Sequence, residues 1–240
     1  MALLLQVTGL PATGKSFSLK TLDPKETFII DTDQKGMSYS GWRSQYNATN
    51  KNYVRESDIG KIKSYISAIV KSRPHIKIIV LDTLNTILTD YLQDERRKPG
   101  FDVWKNLADD AYDLYSFANS QERAGDDNLI IIFLCHAEEY DSVNTQTGLK
   151  ETHLRTLFPG KQATKSRLSK FTNYNLYTFL DIDETEEEKR FNLRTQNLGF
   201  CEARSVYGVL PKFMSNDLGE VIRLIRKYDL EIPETTSTTT

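Results

Sequence analysis

Gly9-Leu10-Pro11-Ala12-Thr13-Gly14-Lys15-Ser16 matches GxxxxGK[ST] at every fixed position and follows the apolar run Leu3-Leu4-Leu5-Gln6-Val7. The two glycines let the backbone curl until several N–H groups point inward at phosphate oxygens, and a helix starting after the loop adds its positive end. Lys15 then reaches the β and γ phosphates as a mobile point charge, and the Ser16 hydroxyl ligates Mg²⁺. The nucleotide-binding residues read from the motif are Gly9, Pro11, Ala12, Thr13, Gly14, Lys15, Ser16 and Phe17. The competing reading is a glycine turn with a solvated lysine; a strand before the loop and a helix after it weigh against that.

Working outward, Ser16 to Leu22 predicts a short helix stopped by Asp23-Pro24, because proline cannot continue it. Phe28-Ile29-Ile30 predicts a buried strand ending on Asp31-Thr32-Asp33, at the strand end where open α/β sheets bind ligands. Aspartates there also make turns and helix caps. Residues 34–53, rich in Gly, Ser, Asn and Tyr, predict a loop with little regular structure and no evident role. Ser57 is placed to cap a helix carrying Ile59, Ile62, Ile66, Ile69 and Val70 at helical spacing, ending at Arg73-Pro74. Ile76 to Leu81 is β-branched and ends on Asp82, the form of a Walker B strand whose carboxylate holds Mg²⁺ opposite Ser16. The next residue is Thr83, so a water-orienting carboxylate has to come from elsewhere, and Asp33 on the neighbouring strand is the substitute.

Leu84, Ile87, Leu88, Tyr91 and Leu92 predict an amphipathic helix running into the basic cluster Arg96, Arg97 and Lys98. Trp104, Leu107, Ala111, Leu114, Tyr115 and Ala118 predict another, ending near Gly125, with Trp104 and Tyr115 as core. Leu129 to Leu134 is the most apolar strand and ends on Cys135-His136, which face opposite sides of it; His136 is either a satisfied polar residue or, at the strand tip, a group that touches a γ phosphate. A long polar stretch follows over 137–160. Arg155, Lys161, Lys165 and Arg167, with Phe158 and Phe171 nearby, fit a surface that tracks a nucleic-acid backbone and stacks bases, or else a solvated loop and helix. Strands over Asn175–Asp181 and Phe191–Thr195, and a helix over Asp217–Tyr228, close the chain.

The 240 residues suffice for one α/β domain, expected over 1–230, with a flexible tail over 231–240. Net charge is −2, so nucleic-acid binding has to come from a local basic patch. The two cysteines, Cys135 and Cys201, have no metal-like spacing and suit buried thiols of a reducing compartment. The opening Met-Ala-Leu-Leu-Leu lacks the flanks of a signal peptide, and no apolar stretch has the length of a membrane span.

GLPATGKS, IIDTDQKG, IIVLDTLNTI and LIIIFLCHAEE together resemble the RecA-like ATPases, most closely the short phage-encoded recombination ATPases of the single-strand-annealing type. TLFPGKQATKSRLSKFTNYNLYTFL, RFNLRTQNLGFCEARS and LPKFMSNDLGEVI extend that resemblance over nearly the whole chain. It implies a RecA-like P-loop fold, with a mostly parallel central sheet, helices on both faces and added C-terminal strands. Lys15, Asp33, Asp82 and His136 then carry catalysis, Ser16 and Asp82 hold Mg²⁺, and ATP is the nucleotide. Asp33 stands where RecA proteins have a glutamate, one methylene longer, and His136 replaces their usual glutamine. The stretch after His136 corresponds to the mobile DNA-binding loop. The resemblance also implies a homo-oligomer, ring or filament, in which Arg194 or Arg204 completes a neighbour's site.

These readings lead to an ATP-dependent, single-stranded-DNA-binding protein of phage recombination, annealing or replication, working in the cytoplasm of the infected cell. One alternative is a small-molecule or nucleotide kinase, with Asp31 or Asp33 handling the acceptor hydroxyl and Arg155 to Arg167 as a phosphate-clamping lid. Another is a helicase-loader-type ATPase, against which the missing acid after Asp82 weighs.

Overall fold

The computed structural model describes residues 1–95, 102–123, 128–145, 147–158, 168–186 and 190–230. The apolar runs become the middle of one sheet: β1 (Leu3–Gly9), β2 (Thr27–Asp31), β4 (Ile78–Asp82) and the first half of β5 (Ile130–Val143). A short strand β3 (Tyr53–Arg55), then β7 (Tyr174–Leu180), β8 (Phe191–Arg194) and β9 (Phe213–Ser215), complete the order β3-β2-β4-β5-β1-β7-β8-β9. The six strands from β3 to β7 are parallel, and β8 and β9 are added antiparallel.

Such parallel strands need cover on both faces, which is why their sequences run apolar without alternation. Leu4, Ile30, Ile79, Leu81, Ile131 and Phe133 pack under α2 (Ile59–Ser72), α3 (Leu84–Glu95) and α4 (Val103–Ser120). On the other face Leu5, Val7, Ile29, Val80 and Ile132 meet a 3-10 turn (Ser16–Thr21) and α5 (Leu218–Leu230), with Tyr46 of the 34–53 segment. The chain is therefore α/β, with a mostly parallel sheet and helices on both sides. No helix among the described residues is long and apolar enough to cross a membrane.

Four local expectations differ from the structure. Residues 34–53 hold a one-turn helix α1 (Trp42–Gln45) and lead into edge strand β3, pinned by Asn52, whose Nδ2 donates to Pro24 and Gln45 carbonyls at 2.9 Å each. Asp58, not Ser57, caps α2, its carboxylate accepting from Lys61 N at 2.8 Å, because the helix starts one residue later. Trp104 is 42% exposed while Tyr115 is fully buried, since α4 turns only the Leu107–Ala111–Leu114–Tyr115 stripe inward. The polar stretch 137–160 is largely a β-hairpin: β5 continues to Val143 and pairs antiparallel with β6 (Lys150–Thr156) around a turn at Gly148. The basic clusters Arg96–Lys98 and Lys161–Arg167, and Gly125, lie outside the described residues.

Candidate nucleotide-binding site

β1 delivers Gly9 to the carboxyl edge of the sheet, and the loop turns back through positive φ at Ala12 (62°) and Gly14 (94°). Both glycines are required by close approach. A Cβ on Gly9 would lie 1.9 Å from Thr178 Oγ1, and one on Gly14 would lie 2.6 Å from the Phe191 ring. Thr13 Oγ1 meets Thr178 Oγ1 at 2.6 Å and donates to Leu10 O at 2.7 Å. Asn216, which precedes α5, donates from Nδ2 to Gly14 O at 2.7 Å. β7, β8 and the approach to α5 thus hold the loop in shape from its far side.

Lys15 is 6% exposed and folds over its own loop, donating to Gly9 O at 2.9 Å and Leu10 O at 2.8 Å. Burial lowers its pKa to about 8, opposed first by the neighbouring Asp82 and then by Asp33. Asp82 sits at the end of β4, and burial pushes its carboxyl up to about 7. A hydrogen bond from the Ser16 hydroxyl pulls Asp82 down, Asp33 and Asp31 push it further up, and Lys15 lowers it. An ammonium, a hydroxyl and a carboxylate therefore converge in a space mostly shut from water. Their oxygens suit a hard divalent cation, and the ammonium suits a phosphate.

Asp33 Oδ1 accepts from the hydroxyls of Thr83, at 3.2 Å, and Thr86, while Lys35 Nζ lies 3.6 Å from Oδ2. Thr32 N and Thr32 Oγ1 bond to the carbonyls of Asp82 and Thr83, tying the two strand ends together. Asp31 is committed elsewhere: Oδ2 accepts from Gly36 N at 2.8 Å and Tyr53 OH at 2.5 Å. That bonding makes Asp31 a brace for the loop after β2 and leaves Asp33 as the carboxylate facing Lys15.

β5 lies between β1 and β4, so His136, paired with Gly9, rises between the phosphate loop and Asp82. Burial lowers its pKa, and Lys15 and Lys35 lower it further against Asp33. The ring is neutral at pH 7, and its buried Nδ1 has no hydrogen-bond partner among the described residues. Asn85, the second residue of α3, carries no signal in the sequence. Its Oδ1 accepts from His136 N at 2.6 Å and its Nδ2 donates to Leu157 O at 2.7 Å, while Leu157 N donates to His136 O at 2.8 Å. The carboxamide is inserted between β5 and the end of β6 like an extra peptide group. Asn216, Thr178 and Phe191 likewise carry no such signal, because no local pattern marks a residue that touches a loop over 150 positions away.

Beside the loop lies a cleft of about 430 Å³, lined by Gly14, Phe17, Lys20, Tyr39, Ser40 and Phe191. The Phe17 and Phe191 rings stand 5.0 Å apart. Tilted 31° to each other, they give the cleft an aromatic wall beside the loop.

The other sequence candidates lie apart. Arg155 pairs with Glu138 at 2.8 Å and stacks on Tyr140 at 4.9 Å. Lys161, Lys165 and Arg167 lie outside the described residues. Arg194 is framed by Phe179, Phe200 and Phe213, its guanidinium 4.9 to 5.9 Å from their centroids. Arg204 donates to Thr172 O and Oγ1, near the amino end of β7 and away from the phosphate loop. No protein-family model matches the chain, and no curated protein matches it significantly.

Proposed function

We propose that the chain is a RecA-like ATPase that binds Mg²⁺·ATP between the phosphate loop and Asp82 and couples its hydrolysis to single-stranded DNA in phage recombination or replication. The observation that carries this reading is the convergence of Lys15, Ser16 and Asp82. Arriving phosphates would draw Lys15 Nζ off the Gly9 and Leu10 carbonyls, and Mg²⁺ would replace the proton that burial favours on Asp82. Ser16 and Asp82 would hold Mg²⁺, which would supply neutralisation of the phosphate charge. The base would lie against Phe17 and Phe191.

Asp33 would orient the attacking water, with Thr83 and Thr86 fixing its carboxylate. The neutral His136, with Nδ1 open, would contact the γ phosphate and pass its loss to the hairpin base through Asn85. DNA would be held beyond that hairpin, where the sequence places Lys161, Lys165 and Arg167. Within 137–156 four carboxylates (Glu138, Glu139, Asp141, Glu151) outnumber Lys150 and Arg155, which directs a phosphate-tracking role past the hairpin and not onto it. Arg194 is the candidate for completing a neighbouring protomer's site, since Arg204 is spent on Thr172. Binding of a fluorescent ATP analogue with and without Mg²⁺, in the native chain and in Lys15→Ala, tests the reading. Mg²⁺-dependent binding lost in the variant supports it, and unchanged binding overturns it.

A further inference from the structure

Two clefts open toward the amino ends of β2 and β4 and along edge strand β3, away from the loop at the carboxyl end of β1, and they share Arg73. One, of about 480 Å³, is walled by Lys25, Gln45, Asn50, Arg73 and His75. The other, of about 350 Å³, runs along edge strand β3 and the face of α2, past Lys51, Tyr53, Tyr65 and Ala68. No carboxylate lines either cleft. The charged residues that do, Lys25, Lys51 and Arg73, come from three separate elements, and none makes an ion pair among the described residues. Arg73 is held in place by its own packing, its guanidinium 5.4 Å from the Phe28 centroid.

Basic residues at the end of a helix usually serve its dipole. Here that role is already filled. Arg123, from beyond α4, donates to the carbonyls of Ile69, Val70, Arg73, Pro74 and Ile76 at the carboxyl end of α2. Lys25 and Lys51 belong to no helix. The positive charge gathered around Arg73 is therefore surplus to the local fold. The 44–52 segment, anchored in the core by the buried Tyr46, is stiffened by bonds from Asn47, Asn50 and Asn52 so that it stands as a preformed wall. Tyr65, 37% exposed at the middle of α2, offers an aromatic face beside that charge.

We infer that these joined clefts are a binding site for single-stranded nucleic acid, with phosphates along Lys25, Arg73 and Lys51 and a base against Tyr65. Unpaired cations that track a backbone beside an exposed ring are the means by which such strands are held without sequence preference. The site adds a second nucleic-acid surface to the proposed function and rests on that reading only for its choice of ligand.

The test is fluorescence anisotropy of a labelled oligodeoxythymidylate with the full chain across a salt series, in parallel with fluorescent ATP-analogue binding. Lys25→Glu/Lys51→Glu, both at exposed positions, is expected to weaken DNA binding about tenfold or more and to flatten the log–log salt slope by about 1.4, two phosphates' worth. Tyr65→Ala is expected to weaken it by about fivefold to a hundredfold. ATP-analogue binding is expected to stay as in the native chain, and Arg73→Gln provides a milder second variant. Native DNA binding that survives all three variants overturns the site while leaving the nucleotide reading intact. Competition by polyglutamate as strong as by oligonucleotide, with no effect of Tyr65→Ala, overturns the nucleic-acid assignment. No DNA binding by the native chain overturns it as well, and the ATP-analogue arm then decides the nucleotide reading separately.

Discussion

The Ser16 hydroxyl sits near enough to the Asp82 carboxyl to pull its pKa down, although their parent strands, β1 and β4, are separated by β5. The turn after the loop carries Ser16 across that gap and brings its hydroxyl up to the buried carboxyl.

From this follows a pH dependence. With its pKa at about 7 in the folded chain, Asp82 holds a proton that the unfolded chain releases near pH 4. Its contribution to stability therefore falls as pH rises from about 4 to about 7 and is flat above that. If Mg²⁺·ATP binds as proposed, Mg²⁺ would compete with this proton, so binding should strengthen toward pH 7 and weaken again above about 8, where Lys15 loses its charge. Titrations with a fluorescent analogue should show a maximum between those values, and a flat profile would contradict it. Asp82→Asn should abolish the acid limb.

Gly9→Ala should destabilise the loop, because its new Cβ would fall 1.9 Å from Thr178 Oγ1. Thr178→Ala removes that atom, so the double variant should melt above Gly9→Ala alone and regain part of the ATP affinity. Purely additive melting temperatures would show that the contact does not matter.

Asn216→Ala removes one of the two donors to Gly14 O, Ser18 N at 3.0 Å being the other, and should cost about 0.5–1.5 kcal/mol in denaturant unfolding. ATP affinity should drop with it, although Asn216 touches no phosphate position. A normal affinity in a folded variant would remove Asn216 from the account.

Asn85→Ala removes two bonds at the base of the hairpin and should cost about 2 kcal/mol or more. At temperatures where it stays folded, it should bind ATP as the native chain does and lose stimulation by single-stranded DNA. Stimulation that persists would place the coupling elsewhere.

Much of this arrangement is legible in the sequence, and the exceptions have a common cause. β1, β2, β4 and the start of β5 are covered on both faces, so burial writes itself into unbroken apolar runs, and the phosphate loop sits where the first run stops. Past His136 the same strand continues as Ala-Glu-Glu-Tyr-Asp-Ser-Val, half-buried on the Glu138–Tyr140–Ser142 face and exposed on the other beyond the buried Ala137, and its polarity hides its regularity. β3 has three residues and one neighbour, too little for a pattern. Asn85, Thr178 and Asn216 act through contacts across the sheet, and no spacing along the chain encodes those.

The most direct measurement is steady-state ATP hydrolysis with and without single-stranded DNA, with Lys15→Ala as control. The account predicts Mg²⁺-dependent hydrolysis that DNA stimulates and that the variant loses. Hydrolysis indifferent to DNA, or equal in the variant, would contradict it.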